Sequence, residues 1–436
     1  MWLVFSIIIF NFIIIIHELG HFIVAKRFGI KVLEFSLFFG PKIFSFTRGD
    51  TTYSLRMIPI LAYVKLEGEE VDVNNEDSFS NKPLWKRALV IFSGPASNIL
   101  TALIIYMIIF TIVGYGTTKI SQVVENSPAY NAGITAGDKL LSYDGNNIYQ
   151  PMDAFLFMYS TKGKAAEIEF LHNGQKKSGT IKPKVIIGDR YLIGFYSSDA
   201  SGENSNVIEG FTENSPALSS GLKLGDEIIN IDNSRISSYS DISKIMANNN
   251  GEQIRVTVLR KNENKPGSTT KTVNIKPINN HADDQYDMGL GFASEKGNFI
   301  NSIGQSFVNT YDMTRIGVYS IVWLIQGKVP PKDLAGPVGT VAMMSDVANQ
   351  GESLADKLIG LLSMAALVSI GLGVANLLPI PVADGGKLFL YAIEAIRRKP
   401  ISKEKEAAIN MVGFFLIMLL FVFVMYNDIA RLISGG

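Results

Sequence analysis

The chain has no cysteine, which excludes disulfide scaffolds, cysteine-ligated zinc and thiol catalysis. Neither sign of charge is in excess. Forty basic and forty acidic residues leave a net charge of zero, so there is no electrostatic case for a nucleic-acid partner. Charged residues make up only 18% of the 436, below the about 25% of an ordinary soluble domain, and histidine occurs only four times. In their place stand long apolar runs, concentrated towards both ends, while the middle is a mixture of charges, Gly, Ser and Asn.

Four runs, 2–25, 88–113, 358–378 and 407–426, are long enough to cross a hydrocarbon core, which takes about 20 mostly apolar residues. The first lacks the basic n-region and small-residue cleavage site of a signal peptide, so a retained span is expected. Short basic clusters flank the runs. Lys26 and Arg27 follow the first, and Lys82, Lys86 and Arg87 precede the second. Arg397, Arg398, Lys399, Lys403 and Lys405 separate the third from the fourth. If all four runs span, every cluster falls on one side, which the positive-inside rule makes the cytoplasm. Residues 114–355 then face the opposite side. Between the first two runs, 32–66 alternates apolar and polar residues around the turn signal Gly49-Asp50, so strands or hairpins against the membrane are expected. Segment 301–326 is apolar but carries Asp312 and Arg315. Its uninterrupted core, 316–325, is too short to span, and a helix lying along the membrane is expected.

The exported middle contains a repeat. Glu125-Asn-Ser-Pro-Ala129, Gly133, Gly137-Asp138 and Asp144 recur at the same spacing as Glu213-Asn-Ser-Pro-Ala217, Gly221, Gly225-Asp226 and Asp232. Ser-Pro-Ala starts a short helical turn that the first Gly ends, and Gly-Asp turns the chain into an apolar strand. The order resembles that of PDZ domains, which bind peptides by strand addition and hold a terminal carboxylate on loop N–H groups. Candidate loops are Leu192-Ile-Gly-Phe195 and Gly289-Leu-Gly-Phe292, with the copy that each serves left open.

His17-Glu18-Leu19-Gly20-His21 is the decisive constellation. On a helix, His17 and His21 stand at i and i+4 on one face, where two imidazoles can share a tetrahedral Zn²⁺. Glu18, beside the metal, is placed to take a proton from the attacking water and pass it to the leaving amine. Ionisable side chains in an apolar span cost about 2.5–3.5 kcal/mol each near the bilayer centre, and a divalent cation supplies a compensating partner. A third ligand is needed. Asp384 lies in Asn376-Leu-Leu-Pro-Ile-Pro-Val-Ala-Asp384-Gly-Gly386, where two prolines break the third run on the side on which HELGH also lies. Taken alone, that segment reads as an ordinary helix-ending turn. Together with HELGH, it reads as a ligand loop.

HELGH, Gly94-Pro-Ala-Ser-Asn98 and Asn376…Pro379-Ile-Pro381…Asp384-Gly385 resemble the site-2 protease family, and Leu334-Ala-Gly-Pro-Val338 extends the likeness across essentially the whole chain. The resemblance implies His17, His21 and Asp384 as zinc ligands, Glu18 as catalytic base, and Asn376 as a substrate-binding residue. It also implies a reentrant β-structure that receives substrate as an added strand. Two departures stand out: Ala383 where the family has Leu, and Pro59-Ile-Leu-Ala-Tyr63-Val64 where it tends to have Pro-x-Gly-Gly-Tyr-Val.

The expected fold is a polytopic α-helical membrane protein with four transmembrane helices, membrane-reentrant β-hairpins and two α+β PDZ-like domains on the extracytoplasmic side. Its expected divisions are 1–28 (first span), 29–86 (cytoplasmic loop with β-structure), 87–114 (second span), and 115–198 and 199–282 (first and second PDZ-like domains). There follow 283–350 (interfacial helices), 351–386 (third span and ligand loop), 387–406 (cytoplasmic loop) and 407–436 (fourth span). The expected activity is zinc-dependent intramembrane proteolysis, with one Zn²⁺ per chain, in the bacterial inner membrane. The implied substrates are pre-truncated single-span proteins such as anti-sigma factors, and leftover signal peptides. The lipid bilayer and peptide ligands of the PDZ clefts complete the expected partners. Two alternatives are a zinc transporter, which has no use for Glu18, and a non-catalytic membrane PDZ scaffold.

Overall fold

The computed structural model describes residues 1–434 except 70–72, 74, 187–189, 197–205, 213–214, 262–266, 281–284, 297, 332–333 and 352. Glu213 and Asn214 of the second repeat therefore lie outside the described residues.

Four helices are long and apolar enough to cross a membrane: Trp2–Arg27, Leu84–Val113, Leu354–Leu377 and Glu404–Ala430. Each reaches past its apolar run at one end or both, because backbone hydrogen bonding does not stop where hydrophobicity does. The third begins at a capping box of Ser353 and Asp356. It ends where Pro379 forces Leu378 into extended backbone. Small residues let the first three pack closely. A Cβ on Gly20 would lie 2.4 Å from the Ser93 carbonyl, and one on Gly373 would lie 3.1 Å from that of Pro95.

The fourth span stands largely apart, with 11% of its apolar window buried against 39% for the third. It is held near its C-terminal end. Asp428 accepts hydrogen bonds from the backbone N–H groups of Gly336 (3.0 Å) and Gly339 (2.8 Å), capping helix Pro337–Gln350 from outside. A Cβ at either glycine would fall within 2.6 Å of that carboxylate, which explains Gly336 of the Leu334–Val338 motif and Gly339 just after it.

Strands Val32–Arg48 and Thr51–Leu66 form the expected β-structure. Both bend, so that 32–37 pairs with 62–66 as well as with 52–55, leaving 62–66 as an edge. The bends fall at Phe38 (φ 69°) and Leu61 (φ 68°). Leu61 stands where the related motif carries glycine, so its positive φ is strained. Around the distal turns, Phe39, Ile43, Phe44, Met57, Ile58 and Ile60 are exposed apolar side chains, as suits immersion in lipid.

The two repeats fold into two α+β modules, but their boundaries differ from the consecutive 115–198 and 199–282. The first sheet runs, in order, Leu290–Glu295, Tyr115–Val123, Lys139–Tyr143, Ala166–His172 and Gln175–Ile181. Its first strand thus comes from beyond the second repeat. Lys184–Ile186 pairs with Gln285–Asp287, and Arg190–Leu192 pairs with Ile278–Asn280, so the second module is inserted into the first. Residues 285–295 accordingly belong to the first module, not to the region of interfacial helices. Short completing strands carry no motif of their own, which is why the repeat alone misplaces the division.

The same nesting assigns the two loops. Ile193 and Gly194 carbonyls accept from the Ala217 and Thr212 N–H groups, whereas Met288 and Gly289 carbonyls accept from Ala129 and Val124. Leu192–Phe195 therefore serves the second repeat and Gly289–Phe292 the first. In each copy the Asp of Gly-Asp is buried against a basic side chain 34 positions on. Asp138 meets His172 at 2.8 Å, and Asp226 meets Arg260 at 2.6 Å.

Helix Phe299–Ile325 joins the modules to the spans. Ile316 and Trp323 sit in the first module's core, while Met313 and Ile321 pack against the cluster of Ala102, Tyr106, Ile370 and Val374. Its charges are accommodated by the module. Arg315 lies 2.6 Å from Asp312 and 3.2 Å from the buried Asp153, with its guanidinium over Tyr149.

Candidate metal centre

The first span carries His17 and His21 on one face, both buried. The second span yields to them at Gly94, where a Cβ would lie 2.3 Å from His21 Nε2 and 2.9 Å from His17 Nε2. Only glycine leaves room for both rings. Downstream of the third span the chain doubles back through Leu378–Ala383, with Pro379 and Pro381 barred from helical hydrogen bonding. Gly385 and Gly386 let that turn close, since a Cβ on each would meet the Leu378 and Ile380 carbonyls at 2.2 Å. The turn delivers Asp384, the first residue of helix Asp384–Arg397, to the histidines.

His17 Nε2 and His21 Nε2 stand 3.1 and 3.3 Å from Asp384 Oδ2, and 3.3 Å from each other. Zinc–ligand bonds of about 2.0–2.1 Å in a tetrahedral site put neighbouring ligand atoms about 3.3 Å apart. Asp384 Oδ2 is buried with no hydrogen-bond partner. Three electron-pair donors that converge this closely fit a cation at their centre. The outer nitrogen of His21 supports this, because Nδ1–H donates to the Val90 carbonyl at 2.8 Å and leaves Nε2 free to ligate.

Glu18 and Asn376 line the same cavity, of about 280 Å³, as His17, His21 and Asp384. All five residues singled out in the sequence thus meet at one place. Asn376 Nδ2 donates to the Leu372 carbonyl of its own helix at 3.1 Å. Glu18 Oε2 accepts from the backbone N–H of Val64 at 3.1 Å, on the edge strand. Tyr63, Val64, Leu66, Val382 and Lys387 line both this cavity and an adjoining groove of about 1170 Å³. Lys387, one turn beyond Asp384, pairs with Glu69 at 2.5 Å where the two meet.

Sequence reasoning missed Gly94, Val64 and Lys387. The first was legible as part of Gly94-Pro-Ala-Ser-Asn98. The Val64 contact joins backbone to a side chain 46 residues away and leaves no local trace.

Residues 5–420 match Peptidase family M50. The regulator of sigma-W protease RasP of Bacillus subtilis is 30% identical over 444 residues, covering 98% of this chain and 97% of the relative. The zinc metalloprotease RasP of Bacillus licheniformis is 30% identical over 437 residues, 98% of each chain, and that of Geobacillus kaustophilus is 29% identical over 445. With its histidine–aspartate cluster set among apolar spans, the chain belongs to peptidase family M50, the site-2 proteases, and is an intramembrane zinc metalloprotease.

Proposed function

We propose that the protein cleaves the membrane segment of single-span substrates already shortened outside the membrane, anti-sigma factors among them, since one relative is named for regulating sigma-W. In this reading the spans lie in the bacterial inner membrane. The basic clusters face the cytoplasm, and both PDZ-like modules face away from it. The module pair excludes intact ectodomains by size. His17, His21 and Asp384 hold the zinc, which when bound polarises the scissile carbonyl and activates water. Glu18 takes the proton from the attacking water and returns it to the leaving amine. A substrate helix must unwind first, because helical hydrogen bonding shields its carbonyls. Edge strand 62–66 and Asn376 hold the unwound segment.

The observation that carries this reading is the position of Glu18 between the ligand cluster and the strand 62–66, an edge among the described residues. A transporter needs no base there, and a scaffold needs neither base nor edge. The test is cleavage of a tagged, pre-truncated single-span substrate by the wild type and by Glu18→Gln, with zinc content measured on both. Cleavage by the wild type alone, with zinc retained in both, is expected. Equal cleavage by the two would remove Glu18 from its role.

A further inference from the structure

The two histidines are held differently at their outer nitrogens. His21 Nδ1 is satisfied by the Val90 carbonyl, an acceptor that obliges Nδ1 to carry the proton. His17 Nδ1 faces a side chain instead: the amide of Asn98, fully buried on the second span, lies 3.3 Å from it through Nδ2. In that orientation Asn98 Oδ1 is buried without a partner. The two ends of a carboxamide have the same shape. Half a turn places Oδ1 on Nδ1–H of His17, gives the orphaned oxygen its partner, and leaves His17 Nε2 bare towards the metal.

The location is built rather than incidental. Gly94 and Asn98 stand one turn apart, so the residue that makes room for the rings and the residue that meets His17 share one helix face. The backbone of Asn98 is pinned separately, its carbonyl accepting from Ser369 Oγ of the third span at 2.8 Å. The side chain is therefore not needed to hold the spans together, and among the described residues it has no other polar contact.

We propose that Asn98 is a positioning residue that fixes the tautomer and ring orientation of His17 for zinc binding, doing through a side chain what Val90 does for His21 through the backbone. The proposal rests on the reading of His17, His21 and Asp384 as the ligand set. Partners of this kind raise metal affinity by about 10–100-fold.

The test is zinc competition on the full-length, detergent-solubilised protein. The wild type, Asn98→Ala, Asn98→Asp and His17→Ala are each equilibrated with a chelator of known affinity, and bound zinc is counted per chain. Asn98→Asp keeps the shape and an acceptor but cannot donate. The expected result is about a 10–100-fold loss of zinc affinity in Asn98→Ala and affinity within a few-fold of wild type in Asn98→Asp. Wild-type affinity in Asn98→Ala would overturn the proposal. So would an equal loss in Asn98→Asp, which would make the amide a donor or a packing group. Zinc binding by wild type but not by His17→Ala, together with either of those outcomes, leaves the ligand set standing and removes Asn98 alone. Wild type that binds no zinc removes the ligand set itself.

Discussion

The backbone N–H of Val64 donates to the carboxylate of Glu18 across 46 residues of sequence, at 3.1 Å. The contact ties the acidic member of HELGH to a strand edge that, among the described residues, has no other strand beyond it. A substrate strand added at that edge, as proposed, would arrive within reach of Glu18. If pairing there is needed for cleavage, removing this single N–H must matter. Val64→Pro, tolerable on an edge strand, is expected to keep its zinc and lower kcat/KM at least about tenfold, or about 1.4 kcal/mol. Val64→Ala keeps the N–H and should stay within about twofold. Equal rates for the two would dissociate the edge from catalysis.

Gly94 makes a sharper demand. A methyl group there would sit 2.3 Å from His21 Nε2, whereas one at Gly371 would meet nothing within 4 Å. Gly94→Ala should therefore lose at least about tenfold in zinc affinity. Gly371→Ala should bind zinc as the wild type does. Metal content by elemental analysis distinguishes them, and equal content would mean that the spans part at no cost.

Leu61 holds a left-handed backbone without being glycine. Leu61→Gly should raise stability by about 1 kcal/mol by relieving that strain, and Leu61→Val should lower it. Thermal unfolding in detergent reads both. A lower midpoint for Leu61→Gly would show that the leucine side chain contributes more than its backbone costs.

Burial, and then the neighbouring carboxylate of Asp312, push Asp153 up to about 7. In an unfolded chain it would titrate at about 3.9. Between those values the folded state binds the extra proton, so stability should fall as pH rises from about 4 to about 7 and then level off. The contact affected is the one that docks the first module on helix Phe299–Ile325 through Arg315. Asp153→Asn should flatten this part of the profile. Melting midpoints from pH 5 to 8 test it, and an unchanged slope in the variant would assign the effect to another group.

Much of the site was legible because its chemistry is local. The i, i+4 spacing of His17 and His21 sets their common face on any helix, and four histidines in 436 residues leave little background. Asp384 was legible through the prolines and glycines that any chain needs to turn so tightly. The second-span contribution was only half legible. Gly94 and Asn98 belong to a recognisable motif, yet nothing in one helix says that its glycine faces another helix's imidazoles. The module boundaries were misjudged for a related reason. A repeat of turns locates what each copy has in common, whereas strands of two to six residues are claimed by whichever sheet edge is open.

Apolar length determined the four spans, and helical periodicity determined the histidine pair, since both follow from the solvent and the peptide backbone. Only the tertiary structure decided that Leu290–Glu295 completes the first module across an inserted second one, that Asp428 caps helix Pro337–Gln350, and that Val64 reaches Glu18. In each of these a buried or edge polar group meets a partner distant in sequence. Such a group must be satisfied away from water, but the need for a partner does not specify which residue supplies it.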